Sequence, residues 1–354
     1  MINLRALSDL DALEFDTIID VRSPSEFAED HIPGAINLPV LSDEERALVG
    51  TEYKQISPFT ARKRGAALVF RNAAGHIETA LSHHDGAWRP LVYCWRGGQR
   101  SGAFGWMLRE IGWRSETIEG GYKAFRRLVV RALYDDPVPH RILLLAGYTG
   151  TAKTDLLARL TQMGVQTLDL EGLANHRGSL LGDRADPQPS QKAFETRLAM
   201  ALARLDPTRP VLVEAESSKI GQRLLPPTLW AAMQAAPVIT LKAPLEARAR
   251  YLAAAYKDIL ADKRVLLEKL DLLRQFRGHA VVDGWHTLSA AGDDVALCRA
   301  LAEDHYDPAY ASSMKDKEGR IAACVTAADL TPEALGRVAE EISAKLHTIS
   351  ICPG

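Results

Sequence analysis

The chain has 354 residues, 47% of them hydrophobic, and a formal net charge of -2. Such a chain buries a full core and is long enough for two domains, while its near-neutral balance gives no global attraction for nucleic acid, so any such partner has to be held by a local basic patch. The amino terminus, MINLRALSDLDALEFDTIID, carries acids where a secretory signal needs an apolar core, and no apolar run approaches the ~20 residues that cross a bilayer, so a cytoplasmic protein with no membrane contact is expected.

The first strong element is TIIDVRSPSEF at positions 17 to 27: a buried strand, then Ser23, Pro24 and Glu26 as cap, first and third residues of a helix. That spacing is a capping box. HIPGAINLP at 31 to 39 is punctuated by Gly and Pro and leads into a second short strand. LVYCWRGGQRSG at 91 to 102 then places Cys94 at the carboxyl end of a third strand, the edge where open α/β sheets bind ligands. The other cysteines, Cys298, Cys324 and Cys352, lie far away with no CxxC pair, which argues against a zinc site and a disulfide framework, and no cysteine is assigned as a metal ligand. A thiol at such an edge becomes reactive when a helix amino terminus and nearby guanidinium groups favour its thiolate. Arg96 and Arg100 meet that need, Gly97 and Gly98 permit backbone amides to turn inward, and Ser101 opens the following helix, so the loop reads as an anion cradle.

These three segments resemble the rhodanese family over residues 1–133, which implies a persulfide or related chalcogen carried on Cys94. The Cys-x5-Arg spacing from Cys94 to Arg100 also matches rhodanese-like phosphatases, so a phosphate-sized anion is a second expectation. GGYKAFRRLVVRAL at 120 to 133 puts Lys123, Arg126, Arg127 and Arg131 on one helix face, opposite Phe125, Leu128, Val129 and Leu133. That basic row is either a solvated face or a contact for nucleic-acid phosphates.

YDDPVPH at 134 to 140 interrupts helical periodicity and reads as a linker. RILLLAGYTGTAKTDLL at 141 to 157 then runs strand, glycine loop, helix, the context of a phosphate-binding P-loop. Gly147, Thr149 and Gly150 would cradle phosphates, Lys153 would supply a point charge, and Thr154 is a candidate Mg²⁺ ligand. Ala152 stands where the pattern has its second glycine. VLVEAES at 211 to 217 ends a further strand in Glu214 and Glu216, either ligands for a metal or water beside the loop or solvated acids. The stretch from Pro244 to about Arg277 is helical in pattern, as is DLTPEALGRVAEEISAKLHT, with Thr331 as N-cap and Pro332 at the first position. The expected fold is therefore α/β: a rhodanese-like domain over 1–133, and over 141–354 a P-loop NTPase-like domain with added helices.

LDLEGLANHRGSLLG at 168 to 182 and QPSQKAFE at 188 to 195 fit no general chemical motif and read equally as packing loops or binding surface. Together with VGTEYKQ, YCWRGGQRS, GGYKAFRR, the P-loop and ESSKIG, they resemble the tRNA 2-selenouridine synthase family over most of the chain. That resemblance implies replacement of sulfur by selenium in wobble 2-thiouridine of tRNA, with selenophosphate as donor, after geranylation of the sulfur from geranyl diphosphate. It implies Cys94, Arg96 and Arg100 as catalytic residues and adds His176 and Arg177 to the substrate-binding candidates. Two other classes stay open: a Cys-x5-Arg phosphatase fused to a nucleotide-binding domain, and a non-catalytic tRNA-binding module.

Overall fold

A computed structural model describes residues 1–315, 317–346 and 348–349; Cys352 lies outside them. The chain forms two compact units, Met1–Pro137 with Pro189–Arg204, and Val138–Gln188 with the chain from Leu205 onward. The segment 189–204, which the sequence leaves in the second domain, is thus part of the first.

In the first unit, β1 (Thr17–Asp20), β2 (Ala35–Asn37), β3 (Pro90–Tyr93) and β4 (Glu116–Thr117) form a parallel sheet in the order β2-β1-β3-β4. β3 is buried along its whole length, which is why PLVY is a continuous apolar run rather than an alternating one. Ile19, Val21, Val69, Val92, Phe104 and Leu108 meet in its core. The predicted capping box is present: the Ser23 amide donates to Glu26 Oε2 at 3.2 Å and opens the helix Pro24–Glu29. The motif DVR is explained by burial. Arg22, 1% exposed, is fixed by two-pronged hydrogen bonds to the fully buried Asp20 and lies 3.9 Å from the centre of the Tyr122 ring. Paired guanidinium and carboxylate are the form in which charge survives in a core.

The helix Gln191–Ala203 completes this unit. Thr196 donates to Asp30 Oδ2 at 2.8 Å, Tyr122 donates to the same oxygen at 2.7 Å, and Arg126 is paired with Glu195. Arg126 is therefore a structural ion-pair partner, not a member of a solvated basic row. Burial pushes the Asp30 carboxyl up, while Tyr122, Thr196 and Arg126 oppose that shift.

In the second unit, β5 (Arg141–Gly147), β6 (Gln166–Leu168), β7 (Pro210–Glu214), β10 (Val238–Lys242) and β11 (Ile321–Thr326) form a parallel sheet ordered β11-β10-β5-β7-β6, with β8 (Lys219–Ile220) and β9 (Arg223–Leu224) as a separate hairpin. β5 occupies the centre, so the loop after it opens at the point where the chain switches sides, the ligand-binding position of such sheets. The stretch Pro244–Arg277 is several helices rather than one: Leu245–Ala255, Lys257–Ala261, Lys263–Asp271 and Arg274–Arg277. Asp262 causes one break, since its side chain accepts from the Val265 amide at 3.1 Å and caps the next helix. Thr331 caps the helix Pro332–Leu346 as expected, accepting from the Ala334 amide at 3.3 Å. No helix among the described residues is long and apolar enough to cross a membrane.

Candidate active site

In the first unit, Cys94 follows β3 directly and is 3% exposed. The helix Gln99–Ile111 starts behind it with Gly98, at φ 76°, as N-cap. Of the glycine pair only Gly98 takes a left-handed conformation. The amides of Arg96, Gly97 and Gly98 donate to no protein group among the described residues. Ser101 lies inside the helix instead of opening it, and its hydroxyl donates to Cys94 Sγ at 3.3 Å. Its hydroxyl is thus engaged with the sulfur.

The two arginines differ. Arg100 Nη1 donates to Glu26 Oε2 at 2.9 Å, so part of its charge is already matched, whereas Arg96 is exposed and pairs with no carboxylate among the described residues. Gly121 explains why GGYKAF follows the loop: a Cβ there would collide with the Cys94 carbonyl oxygen, and the tight approach lets the Tyr122 amide donate to that oxygen at 2.8 Å. The Lys123 amide donates to Trp95 O at 2.9 Å, while the side chains of Lys123 and Arg127 project outward without carboxylate partners among the described residues. Trp95, which the sequence did not single out, is 39% exposed, with its ring centre 5.5 Å from that of Tyr122.

In the second unit, the P-loop keeps its form despite the missing glycine. Ala152 itself adopts φ 61° and caps the helix Lys153–Gln162, a conformation that costs a residue with a Cβ about 1–2 kcal/mol. Lys153 Nζ donates to Gly147 O at 2.9 Å. The loop rests on the helix Leu245–Ala255, whose buried Arg248 donates to Thr149 O at 3.2 Å and pairs with Asp307 at 2.7 Å.

Thr154 meets two members of a cluster of three carboxylates. Its hydroxyl lies 3.0 Å from Glu171 Oε2 and 2.8 Å from Glu214 Oε1, and ligand oxygens of Glu171, Glu214 and Glu216 lie within 4.8 Å of one another. Glu214 is fully buried, so the reading of strand-end solvated acids is wrong for it. Glu171 went unremarked in the sequence because it is remote from the loop along the chain. Burial and the neighbouring Glu216 push its carboxyl up to about 7, and burial with Glu171 raises that of Glu214. Glu214 Oε2 has no hydrogen-bond partner among the described residues. A buried, orphaned carboxylate oxygen in an all-oxygen cluster beside a P-loop threonine fits a hard divalent cation such as Mg²⁺.

Around these groups lies a cavity of about 690 Å³ lined by Lys153, Thr154, Arg177, Ser179, Tyr251 and Tyr256 among others. Arg177 faces it and pairs with Asp258 at 2.9 Å. His176 does not line it. Buried at 6% exposure, its Nδ1 accepts from the Gly178 amide at 3.1 Å and its Nε2 sits 3.3 Å from Asp183, so it closes its own loop rather than touching a substrate. Gly178 is glycine because a Cβ would lie 2.6 Å from Glu171 Oε1 and 2.7 Å from Glu216 Oε2. The segment LDLEGLANHRGS therefore delivers one carboxylate and packs without side chain against the cluster.

A cysteine loop at the end of a strand on one α/β unit and a P-loop on another define a protein of rhodanese-like and P-loop type. Residues 4–128 match the family described as rhodanese-like domain, and residues 140–280 the family described as tRNA 2-selenouridine synthase AAA domain. The chain is 35% identical over 337 residues to the tRNA 2-selenouridine synthase of Hahella chejuensis, covering 86% of this chain and 87% of that protein. The protein of that name from Shewanella frigidimarina is 39% identical over 341 residues, covering 87% and 91%, and that from Shewanella denitrificans 40% over 256 residues, covering 70% and 67%. The chain belongs to the tRNA 2-selenouridine synthase family.

Proposed function

We propose that the protein replaces sulfur by selenium in 2-thiouridine at the wobble position of cytoplasmic tRNA, in two steps on its two units. In the first, the 2-thio sulfur bonds to C1 of geranyl diphosphate as the C–O bond to diphosphate breaks. The P-loop amides, Lys153 and Thr154 hold the departing diphosphate, whose charge they stabilise. Thr154, Glu171, Glu214 and Glu216 would hold Mg²⁺, which supplies further neutralisation of the diphosphate when bound. In the second step the selenium of selenophosphate bonds to C2 of the uridine as the C2–S bond breaks and geranyl thiol departs, a better leaving group than sulfide; water then cleaves the Se–P bond, releasing phosphate and leaving selenouridine. Arg96, Arg100 and the loop amides bind the tetrahedral selenophosphate beside Cys94. Lys123 and Arg127 contact tRNA phosphates, and Trp95 offers a surface on which a splayed-out base stacks.

The observation that carries this reading is the coexistence of two glycine-containing loops before helices, the Cys94 loop and the Lys153 loop, in a chain of this family. Nucleosides from 2-thiouridine tRNA incubated with protein, geranyl diphosphate and selenophosphate are analysed by mass. The wild type is expected to yield selenouridine, Cys94→Ser to stop at the geranylated nucleoside, and Lys153→Ala to leave 2-thiouridine. Normal selenouridine from Cys94→Ser, or unimpaired geranylation by Lys153→Ala, contradicts the corresponding half. Phosphate release from an aryl phosphate without tRNA would instead favour the phosphatase class.

A further inference from the structure

Beside the Cys94 loop the first unit holds a second cavity, of about 710 Å³, within the range of small-molecule sites. Its walls are Val49 and Tyr53 from the helix Asp43–Gln55, and Ala61, Ala66, Val69 and Phe70 from the helix Pro58–Glu78. Tyr53 and Phe70 remain 47% and 41% exposed, which leaves apolar surface open to solvent at its mouth. The rim is basic. Lys54, Arg62 and Arg96, one from each helix and one from the Cys94 loop, border it and pair with no carboxylate among the described residues.

An apolar pocket ringed by unmatched cations selects a ligand with an apolar chain attached to a polyanion. Cations on separate elements suit several phosphate groups better than one compact anion, whose seat is the loop itself. We infer that this cavity receives the geranyl group of the S-geranylated wobble nucleoside during selenium transfer, with the flanking tRNA phosphates on Lys54 and Arg62 and the selenophosphate on Arg96. The inference rests on the two-step reading above and adds where the prenyl chain lies in the second step. Burial of the chain there would hold C2 of the nucleoside next to the selenophosphate loop, since Arg96, Gln99 and Arg100 belong to both.

Binding of the full-length protein is measured to an anticodon stem-loop RNA carrying S-geranyl-2-thiouridine, and to the same RNA carrying 2-thiouridine. The wild type is expected to bind the geranylated RNA at least about tenfold more tightly, a preference of roughly 1.4 kcal/mol. Ala66→Trp fills the cavity from an exposed position and is expected to erase that preference while binding the 2-thiouridine RNA as the wild type does, which also reports that the variant is folded. Equal affinities in the wild type, a preference that survives Ala66→Trp, or loss of both RNAs together overturns the assignment. Binding does not depend on chemistry: a wild type that shows the preference yet forms no selenouridine on addition of selenophosphate contradicts the proposed function and leaves the cavity assignment standing.

Discussion

Glu26 holds Arg100: the residue that closes the capping box of DVRSPSEF accepts at 2.9 Å from the arginine that ends the Cys94 loop. Burial opposes ionisation of Glu26, but the Arg100 hydrogen bond and charge hold its carboxyl below the usual glutamate range. A lowered carboxylate contributes stability that is complete above its unfolded value of 4.5 and lost as pH falls through the folded one. Glu26→Gln is therefore expected to lower stability at neutral pH by about 1–3 kcal/mol and to flatten the acid limb of thermal unfolding measured between about pH 5 and 3. An acid limb as steep as that of the wild type would show that the pair contributes nothing.

Ala152 sets a limit on repair of the P-loop. Replacement by Gly relieves a left-handed Cβ worth about 1–2 kcal/mol but removes a buried methyl worth about 0.8 kcal/mol and loosens the unfolded chain by about 0.5–1 kcal/mol. Ala152→Gly is expected to be neutral within about 1 kcal/mol, whereas Ala152→Val, β-branched at φ 61°, is expected to cost more than about 2 kcal/mol in denaturant unfolding. A Gly variant stabilised well beyond that margin contradicts this balance.

The carboxylate cluster predicts a response to divalent cations in the absence of any substrate. Mg²⁺ or Mn²⁺ is expected to raise the unfolding temperature with a saturable dependence, and a chelator to reverse it. Glu214→Gln leaves an amide where an orphaned carboxylate oxygen stood and is expected to abolish the response. A shift of equal size in Glu214→Gln would place the cation elsewhere.

Arg126 and Arg127 are adjacent yet opposite in consequence. Arg126→Met strands Glu195 and Asp30 in the interior and is expected to cost about 3–5 kcal/mol. Arg127→Ala and Lys123→Ala, both exposed, are expected to leave stability within about 0.5 kcal/mol, and to weaken tRNA binding with a salt slope reduced by about one each. Salt slopes identical to that of the wild type would remove this helix from the tRNA contact.

What was legible in the sequence was local. Ser23 and Glu26 are three residues apart, Thr331 precedes its helix directly, and the two strand-to-glycine-loop transitions each occupy one short run, so the caps, both loops and both sheets could be anticipated. What was not legible depends on residues brought together from afar. Nothing near Arg100 announces Glu26, nothing near Thr154 announces Glu171, and nothing in QPSQKAFE says which unit the helix Gln191–Ala203 joins. His176 misled for a related reason: a polar residue in an unassigned loop looks like a ligand-binding group until its hydrogen bonds to Gly178 and Asp183 are seen to be internal.

The return of residues 189–204 to the first unit has a consequence for biosynthesis. Domains usually fold in order as they leave the ribosome. Here Asp30 and Arg126 wait for Glu195 and Thr196, so the amino-terminal unit stays unfinished until β5, the P-loop and β6 have already been translated. Neither half is a contiguous cassette, and severing the chain at residues 134–140 would deprive the upstream fragment of the helix that neutralises its interior.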